Sequence, residues 1–345
     1  MATTGVSRIL VVDDSAYVRK TLSQILSRSP YLEVVGTARD GQEALDRVVE
    51  LGPDVVTCDL IMPNLDGAGF VREQMGRRPI PIVIVSVANE SGELVLSALD
   101  AGAVDFIQKP TALASDRLLE MGDDLIAKVK AAAGARVRPS ATIAAAAATS
   151  GYQAKSEFGV VVIGISTGGP QALRVLVPRL PAELAVPVVI VLHMPVGYTE
   201  LYARKLDEVS QVNVCEASDG MELKSGTVLI APAGRHLTLR LRPDGAVVTR
   251  LDIRPLDRPH RPSVDVLFQS AAEVYAGRVL GVVMTGMGAD GREGAAWIKA
   301  KGGRVLTEAE DTCVVYGMPR SIVEAGLSDQ SVGLDRMADV ILEHV

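Results

Sequence analysis

Three residues of the kinds that cooperate in acyl transfer occupy matching places in the second half of this 345-residue chain. Ser166 lies inside G-x-S-x-G (Gly164, Ser166, Gly168) in VVVIGISTGGP, where an apolar run turns into a helical segment that Pro170 is suited to open. His193 closes VPVVIVLH, and Asp290 stands just past the apolar start of VVMTGMGADG. A hydroxyl, an imidazole and a carboxylate gathered on one sheet edge make a nucleophile, a general base and an orienting acid. The chain order Ser, His, Asp differs from that of α/β-hydrolases, but such groups are united by geometry and not by order. Singly, each has a plainer role: Ser166 or Thr167 caps a helix, and a lone histidine is more often structural. His236 introduces a hairpin, His260 lies in the Pro-Arg-rich DRPHRPSVD, and His344 is next to the C-terminus, so these three are weaker candidates.

The same VVMTGMGADG contains G-x-G-x-x-G (Gly286, Gly288, Gly291) ahead of a helical segment, REGAAWIKAKGG, the pattern of a dinucleotide-binding turn. Glu308, at the end of GRVLTE, stands near where a ribose-binding acid is expected. Asp290 argues against that reading, because a carboxylate facing a pyrophosphate at the helix N-terminus opposes it by about 4 kcal/mol, roughly a thousandfold in affinity. Glu293 adds a second unfavourable charge. The glycines around Met287 have another use: they let backbone N–H groups approach a developing oxyanion.

In the first half, Asp13 and Asp14 end one apolar run and Asp59 ends another. In a flavodoxin-like strand order those two strands are neighbours, so the three acids share a crevice. Two carboxylates about 4 Å apart repel by roughly 4 kcal/mol at an effective dielectric of about 20, so the cluster needs a cation or protons, and hard oxygen ligands in an open loop suit Mg²⁺. Ser86 and Lys109 end two further runs and add a hydroxyl donor and a positive charge for phosphoryl oxygens. One such acid is more readily a helix cap or a solvated loop residue. Five such residues, all on strand ends, point to a site.

The elements that must position these residues are strands alternating with helices. SRILVVDD, LEVVGTA, PDVVTCDL, PIVIVSV and VDFIQKP alternate with segments of helical period, which predicts a (βα)5 unit of the flavodoxin-like class over residues 1–128. The Ala-rich stretch within 129–157, sprinkled with Gly, Pro and Ser, reads as a linker that is partly helical at most. A second series runs from EFGVVVIGIS to GGRVLTEAE, and HLTLRLRPDGAVVTRL places two period-2 arms around Pro243-Asp244-Gly245. Residues 158–345 are therefore expected to form a doubly wound, mostly parallel α/β domain with an antiparallel hairpin.

Composition narrows the classes. A formal net charge of -7 gives no basic footprint for nucleic acid or an anionic membrane. No apolar run approaches bilayer length and the N-terminus lacks a signal-peptide pattern, so neither membrane insertion nor export is expected. Cys58, Cys215 and Cys313 are widely spaced and odd in number, against a disulfide framework and in keeping with a reducing cytoplasm.

Two resemblances follow from these motifs. VVDDSAYVRK, TCDLIMPNLDG, VSVAN and FIQKP, over roughly residues 6 to 128, resemble the response-regulator receiver domain. The resemblance implies that Asp59 accepts a phosphoryl group from a histidine kinase and that Asp13, Asp14 and Asp59, with the Ile61 backbone carbonyl, hold Mg²⁺. It further implies that Ser86 and Lys109 contact the phosphoryl group and that Phe106 follows Ser86 in the switch. GISTGGP, LHMPVGYT, RPSVDVLF, TGMGADG and DTCVVYGMP, over about residues 158 to 345, are similar to the catalytic domain of chemotaxis protein-glutamate methylesterases, the CheB family, which joins a receiver to this domain by a linker. Ala289 stands where that family often carries Asn, and Tyr198 where Phe is common. What is implied is a phosphorylation-activated serine hydrolase with the triad Ser166, His193 and Asp290 and an oxyanion hole at the Met287 N–H with help near Thr167. It would need no cofactor for hydrolysis, and would act in the cytoplasm on γ-glutamyl methyl esters, and on glutamines, of chemoreceptors. The unphosphorylated receiver is expected to cover the triad.

Overall fold

A computed structural model describes residues 5–87, 92–109, 121–137 and 157–345. The chain divides into two compact units, Met1–Thr142 and Ile143–Val345. In the first, β1 (Ser7–Val12), β2 (Leu32–Ala38), β3 (Val55–Cys58), β4 (Ile82–Val87) and β5 (Asp105–Lys109) form a parallel sheet in the order β2-β1-β3-β4-β5. Helices α1 (Ala16–Leu26), α2 (Gly41–Leu51), α3 (Gly67–Arg77), α4 (Gly92–Ala101) and α5 (Gly122–Ala133) accompany it. β3 is buried throughout and β1 over its last four residues, which is why they read as unbroken apolar runs rather than alternating ones. Chain direction across the sheet reverses at β1, with β2 on one side and β3 on the other, and the crevice at such a reversal is where α/β sheets bind ligands. α5 carries the helix past residue 128 into the expected linker, of which residues 138–156 lie outside the described residues.

In the second unit the described strands of the main sheet are β6 (Val160–Ile165), β7 (Val188–Leu192), β8 (Asn213–Glu216), β9 (Thr227–Ile230), β12 (Val279–Val283), β13 (Arg304–Glu308) and β14 (Gln330–Val332). They run parallel in the order β14-β13-β12-β6-β7-β9-β8. The hairpin β10 (His236–Leu241) and β11 (Val247–Asp252) forms a sheet of its own, closed by the Arg242 N–H on the Ala246 carbonyl at 2.8 Å around Gly245. Helices α6 (Gly169–Leu176), α7 (Thr199–Asp207), α8 (Val264–Tyr275), α9 (Arg292–Ala300), α10 (Met318–Glu324) and α11 (Leu334–His344) complete the unit. One core cluster joins β6, β7 and β12 to Val264, Leu267, Phe268 and Ala271 of α8. Every residue of β6 is buried, and β6 is the strand at which the order reverses, with β7 on one flank and β12 on the other. Ser166 follows its last residue.

Gly67 opens α3 with its N–H on the Leu60 carbonyl at 2.9 Å, so close that a Cβ there would lie 2.1 Å from the Asp59 carbonyl oxygen and 2.8 Å from Leu60 Cα. Both neighbours are backbone and cannot swing aside. Gly67→Ala is therefore expected to cost about 1–3 kcal/mol of stability in the first unit, as overpacking does, read as a lower urea midpoint by circular dichroism. An unchanged midpoint would show that the Asp59 loop yields freely.

Candidate functional site

The first unit brings Asp13, Asp14 and Asp59 together, with one carboxylate oxygen from each within 4.8 Å of the others. Parallel pairing of Val12 with Cys58 sets this up, and the Asp59 N–H on the Val12 carbonyl at 2.9 Å extends it one residue further. Asp13 and Asp59 are buried and Asp14 is exposed. Lys109 Nζ lies 2.5 Å from Asp13 Oδ2 and 2.7 Å from Asp59 Oδ2. Burial pulls the Lys109 ammonium down, but Asp59 and Asp13 lift it further, and the net direction is up. The Asp13 carboxyl is raised, by burial first, against the pull of Lys109. Three carboxylates against one ammonium leave an excess of negative charge on oxygen donors open at the Asp14 side, a set that fits a hard divalent cation. Ser86 and Phe106 are buried on β4 and β5, while the Ile61 side chain is half exposed just past β3.

At the β6 end of the second unit, the Ser166 N–H donates to the Thr285 carbonyl at 3.0 Å and the Ser166 carbonyl accepts from Gly169 at 2.6 Å, a sharp turn from strand to helix. Ile165 pairs with Leu192, and the His193 N–H donates to the Ile165 carbonyl at 3.1 Å, so Ser166 and His193 leave neighbouring strands abreast. On the other flank, the loop after β12 presses on the turn: a Cβ at Gly286 would come within 2.8 Å of Ser166 Cβ. His193 Nε2 meets Asp290 Oδ2 at 2.9 Å. Because His193 follows β7 and Asp290 follows β12, this contact spans the end of β6, the strand that carries Ser166. With Nε2 engaged, Nδ1 is the remaining ring nitrogen, buried and without a hydrogen-bond partner among the described residues.

Asp290 is held by the N-terminus of α8. Its Oδ1 accepts from Ser263 Oγ at 2.8 Å and the Asp265 N–H at 3.0 Å, and its Oδ2 accepts from the Val264 N–H at 2.8 Å. Burial alone would raise its carboxyl, but His193 and the Asp265 and Val264 N–H groups hold it well below the usual carboxylate range. Asp265 in turn accepts from Gly291 N–H at 2.9 Å and Gly294 N–H at 2.8 Å, while burial and the nearby Asp290 and Glu293 push it to about 6. Thr167 is buried and its carbonyl accepts from Thr285 Oγ1 at 2.9 Å. Met287 is half-buried, and its N–H carries no backbone hydrogen bond among the described residues.

Several contributors escaped sequence reasoning. The His260 ring stacks on His193, centroids 4.2 Å apart and 24° from parallel, although its Pro-Arg-rich setting gave no sign of this. Ser263 and Asp265 flank the first residue of α8, and the polar residue before the apolar helix was the signal available. His236 is fully buried on β10, with Nε2 near the Pro255 carbonyl at 3.0 Å and its ring pushed down by burial first, while the charge of Asp290 pulls it the other way. His344 packs on Phe158 near the C-terminus. The dinucleotide pattern has another explanation: the α9 N–H groups that would face a phosphate are taken by Asp265, and Glu308 is fully buried.

Residues 161–341 match the family model described as CheB methylesterase, and residues 9–121 match the response regulator receiver domain. A protein-glutamate methylesterase/protein-glutamine glutaminase of Myxococcus xanthus is 50% identical over 98% of this chain and 98% of its own. A second, from Symbiobacterium thermophilum, is 45% identical over 98% and 97%. The crystal structure of the Thermotoga maritima CheB methylesterase catalytic domain superposes with a TM-score of 0.53 at 42% identity, covering 55% of this chain and 99% of that one.

In Asp290→Asn, either orientation of the amide turns an NH₂ toward a backbone N–H, because each carboxylate oxygen already accepts one. The substitution is therefore expected to destabilise the second unit by about 1–3 kcal/mol, the cost of a buried donor left unpaired, seen as a lower melting temperature. An unchanged melting temperature would mean that the helix end does not depend on this acceptor.

Proposed function

The chain belongs to the protein-glutamate methylesterase/protein-glutamine glutaminase family, and from that premise we propose that Ser166, His193 and Asp290 hydrolyse γ-methyl esters of glutamates, and amides of glutamines, in the cytoplasmic helices of chemoreceptors. The observation that carries this reading is the His193–Asp290 contact laid across the strand end that bears Ser166. His193 Nδ1 takes the Ser166 proton as Oγ attacks the ester carbonyl, and the imidazolium returns it to the departing methoxide, so that methanol leaves and an acyl-serine remains. Water, deprotonated by the same nitrogen, then releases the glutamate carboxylate and restores the hydroxyl. Asp290 fixes the ring through Nε2 and balances the imidazolium charge. The Met287 N–H, with help near Thr167, is the donor to the oxyanion. The hydrolysis is assigned to these side chains without a cofactor.

The receiver, taken as residues 1–128 and joined through 129–157 to a catalytic domain at 158–345, regulates that reaction. Asp59 is the phosphoacceptor for a histidine kinase; Asp13, Asp14 and Asp59, with the Ile61 carbonyl, would hold Mg²⁺. Bound Mg²⁺ supplies positive charge against the phosphoryl oxygens. Lys109 and Ser86 contact the phosphoryl group, and Phe106 follows Ser86. Phosphorylation favours the state in which the receiver leaves the triad accessible. No helix among the described residues is long and apolar enough to cross a membrane, and the protein is assigned to the cytoplasm, meeting receptors at their cytoplasmic domains.

Methanol release from methylated receptor tests both halves. Ser166→Ala is expected to lose at least roughly a thousandfold in kcat; acetyl phosphate with Mg²⁺ should accelerate the parent and leave Asp59→Asn unaffected. A Ser166→Ala protein at the parental rate would overturn the esterase reading, and equal parental rates with and without acetyl phosphate would overturn the regulatory one.

A further inference from the structure

Glu308 ends β13 fully buried, and the reaction above makes no use of it. Its Oε2 accepts from the Thr285 N–H at 2.9 Å and its Oε1 from Thr312 Oγ1 at 3.1 Å. Thr285 spends all its other polar atoms on the nucleophile turn and the segment behind it. Its carbonyl accepts from Ser166 N–H, and its hydroxyl donates to the Thr167 carbonyl and accepts from Val315 N–H at 3.0 Å. Gly286, the next residue, is clamped between the Val315 carbonyl and the N–H groups of Gly317 and Met318. The loop leading to Met287 is therefore held by these main-chain and hydroxyl bonds together with one buried carboxyl on a neighbouring strand. Resting on the triad and oxyanion reading, we propose that Glu308 is a positioning residue for the hydrolysis, holding Thr285, and through it the Ser166–Thr167 turn and the Met287 loop, in one arrangement.

The network is complete with the carboxyl neutral. Its O–H then donates to Thr312 Oγ1, which also accepts from Leu334 N–H at 3.1 Å and donates to the Ala309 carbonyl at 3.2 Å, while the second carboxyl oxygen keeps the Thr285 N–H. Burial pushes the carboxyl up to about 7, against the downward pull of the Thr285 and Thr312 hydrogen bonds. Neither neighbouring strand, β12 or β14, brings an ionisable side chain. The loop after β13 brings Asp311, a like charge that raises Glu308 further, and the Cys313 thiol, whose Sγ lies 3.8 Å from the Glu308 carbonyl and which burial also pushes up. Ionisation of Glu308 places a negative charge behind the loop where negative charge develops in the transition state, so turnover falls as pH rises through about 7. The sign for stability is the same: a carboxyl raised from 4.5 to about 7 in the fold stabilises fully below 4.5, and that contribution is lost as pH rises through 7.

The test is methanol release by the full-length protein, kcat and KM separately, from pH 5.5 to 9, for the parent, Glu308→Ala, Glu308→Gln and Ser166→Ala. Glutamine accepts from Thr285 and donates to Thr312 at every pH. Glu308→Ala is expected to lose about 10- to 100-fold in kcat with KM changed less than about threefold, a transition-state defect. Glu308→Gln should restore kcat at pH 6 and lack the parent's alkaline limb. Should Glu308→Ala fail to fold, the glutamine profile decides alone. A Glu308→Gln protein that keeps the alkaline limb, or an alanine variant with parental kcat, overturns the proposal while Ser166→Ala stays inactive. An active Ser166→Ala protein instead removes the esterase reading on which it rests.

Discussion

A charged carboxylate kept in a buried place governs the rim of the larger sheet. Desolvation on its own would raise the Asp290 carboxyl above its ordinary range. It does not, because a hydroxyl, two main-chain N–H groups and an imidazole converge on its two oxygens. That convergence orders everything around it: it fixes which nitrogen of His193 is occupied, where α8 must start, and how the loop from β12 crosses the end of β6. The partial positive charge at the start of α8 falls on the side where the carboxylate sits, so the helix contributes electrostatics as well as hydrogen bonds.

The receiver-like unit solves a related problem differently. Its acids are gathered where β1 and β3 end, and a lysine arriving from β5 lies between two of them. Removal from water is offset there by a full opposite charge in addition to the Ser15 and Leu60 N–H groups. An ammonium can change partners when a new anion arrives, whereas a helix end cannot, a distinction that suits a unit meant to be modified and relaxed.

Much of this was readable from the chain itself. Parallel strands covered on both faces appear as unbroken β-branched runs, so VVVIGI, VVIVL and VLGVV announce their positions, and the polar residue after each falls on the ligand-binding edge. Ser166 and His193 became candidates for that reason, and Asp290 through its place in the glycine-rich loop after β12. What hid were the residues that hold them. Ser263, Asp265 and Glu308 act through hydrogen bonds to partners 23 to 29 positions away, and no local period encodes such a distance. His260 was a weaker candidate because it lies in a Pro-Arg-rich stretch, yet its ring covers one face of His193. Gly-x-Gly-x-x-Gly, already set against Asp290 and Glu293 in the sequence, reports backbone shape, and a side chain from another helix occupies the space that the shape leaves.

The grip on Asp290 by main-chain amides has a consequence for how this rim tolerates variation. Peptide groups survive almost any replacement of the side chain above them, so apart from Asp265 the first turn of α8 can drift in composition without loosening the acid, provided positions 264 and 265 keep their amide hydrogens. The vulnerability lies instead in translation of the whole helix: a slide along its axis would move several donors at once. Mutations remote from the rim, in the apolar packing beneath α8, are therefore the ones best able to disturb it.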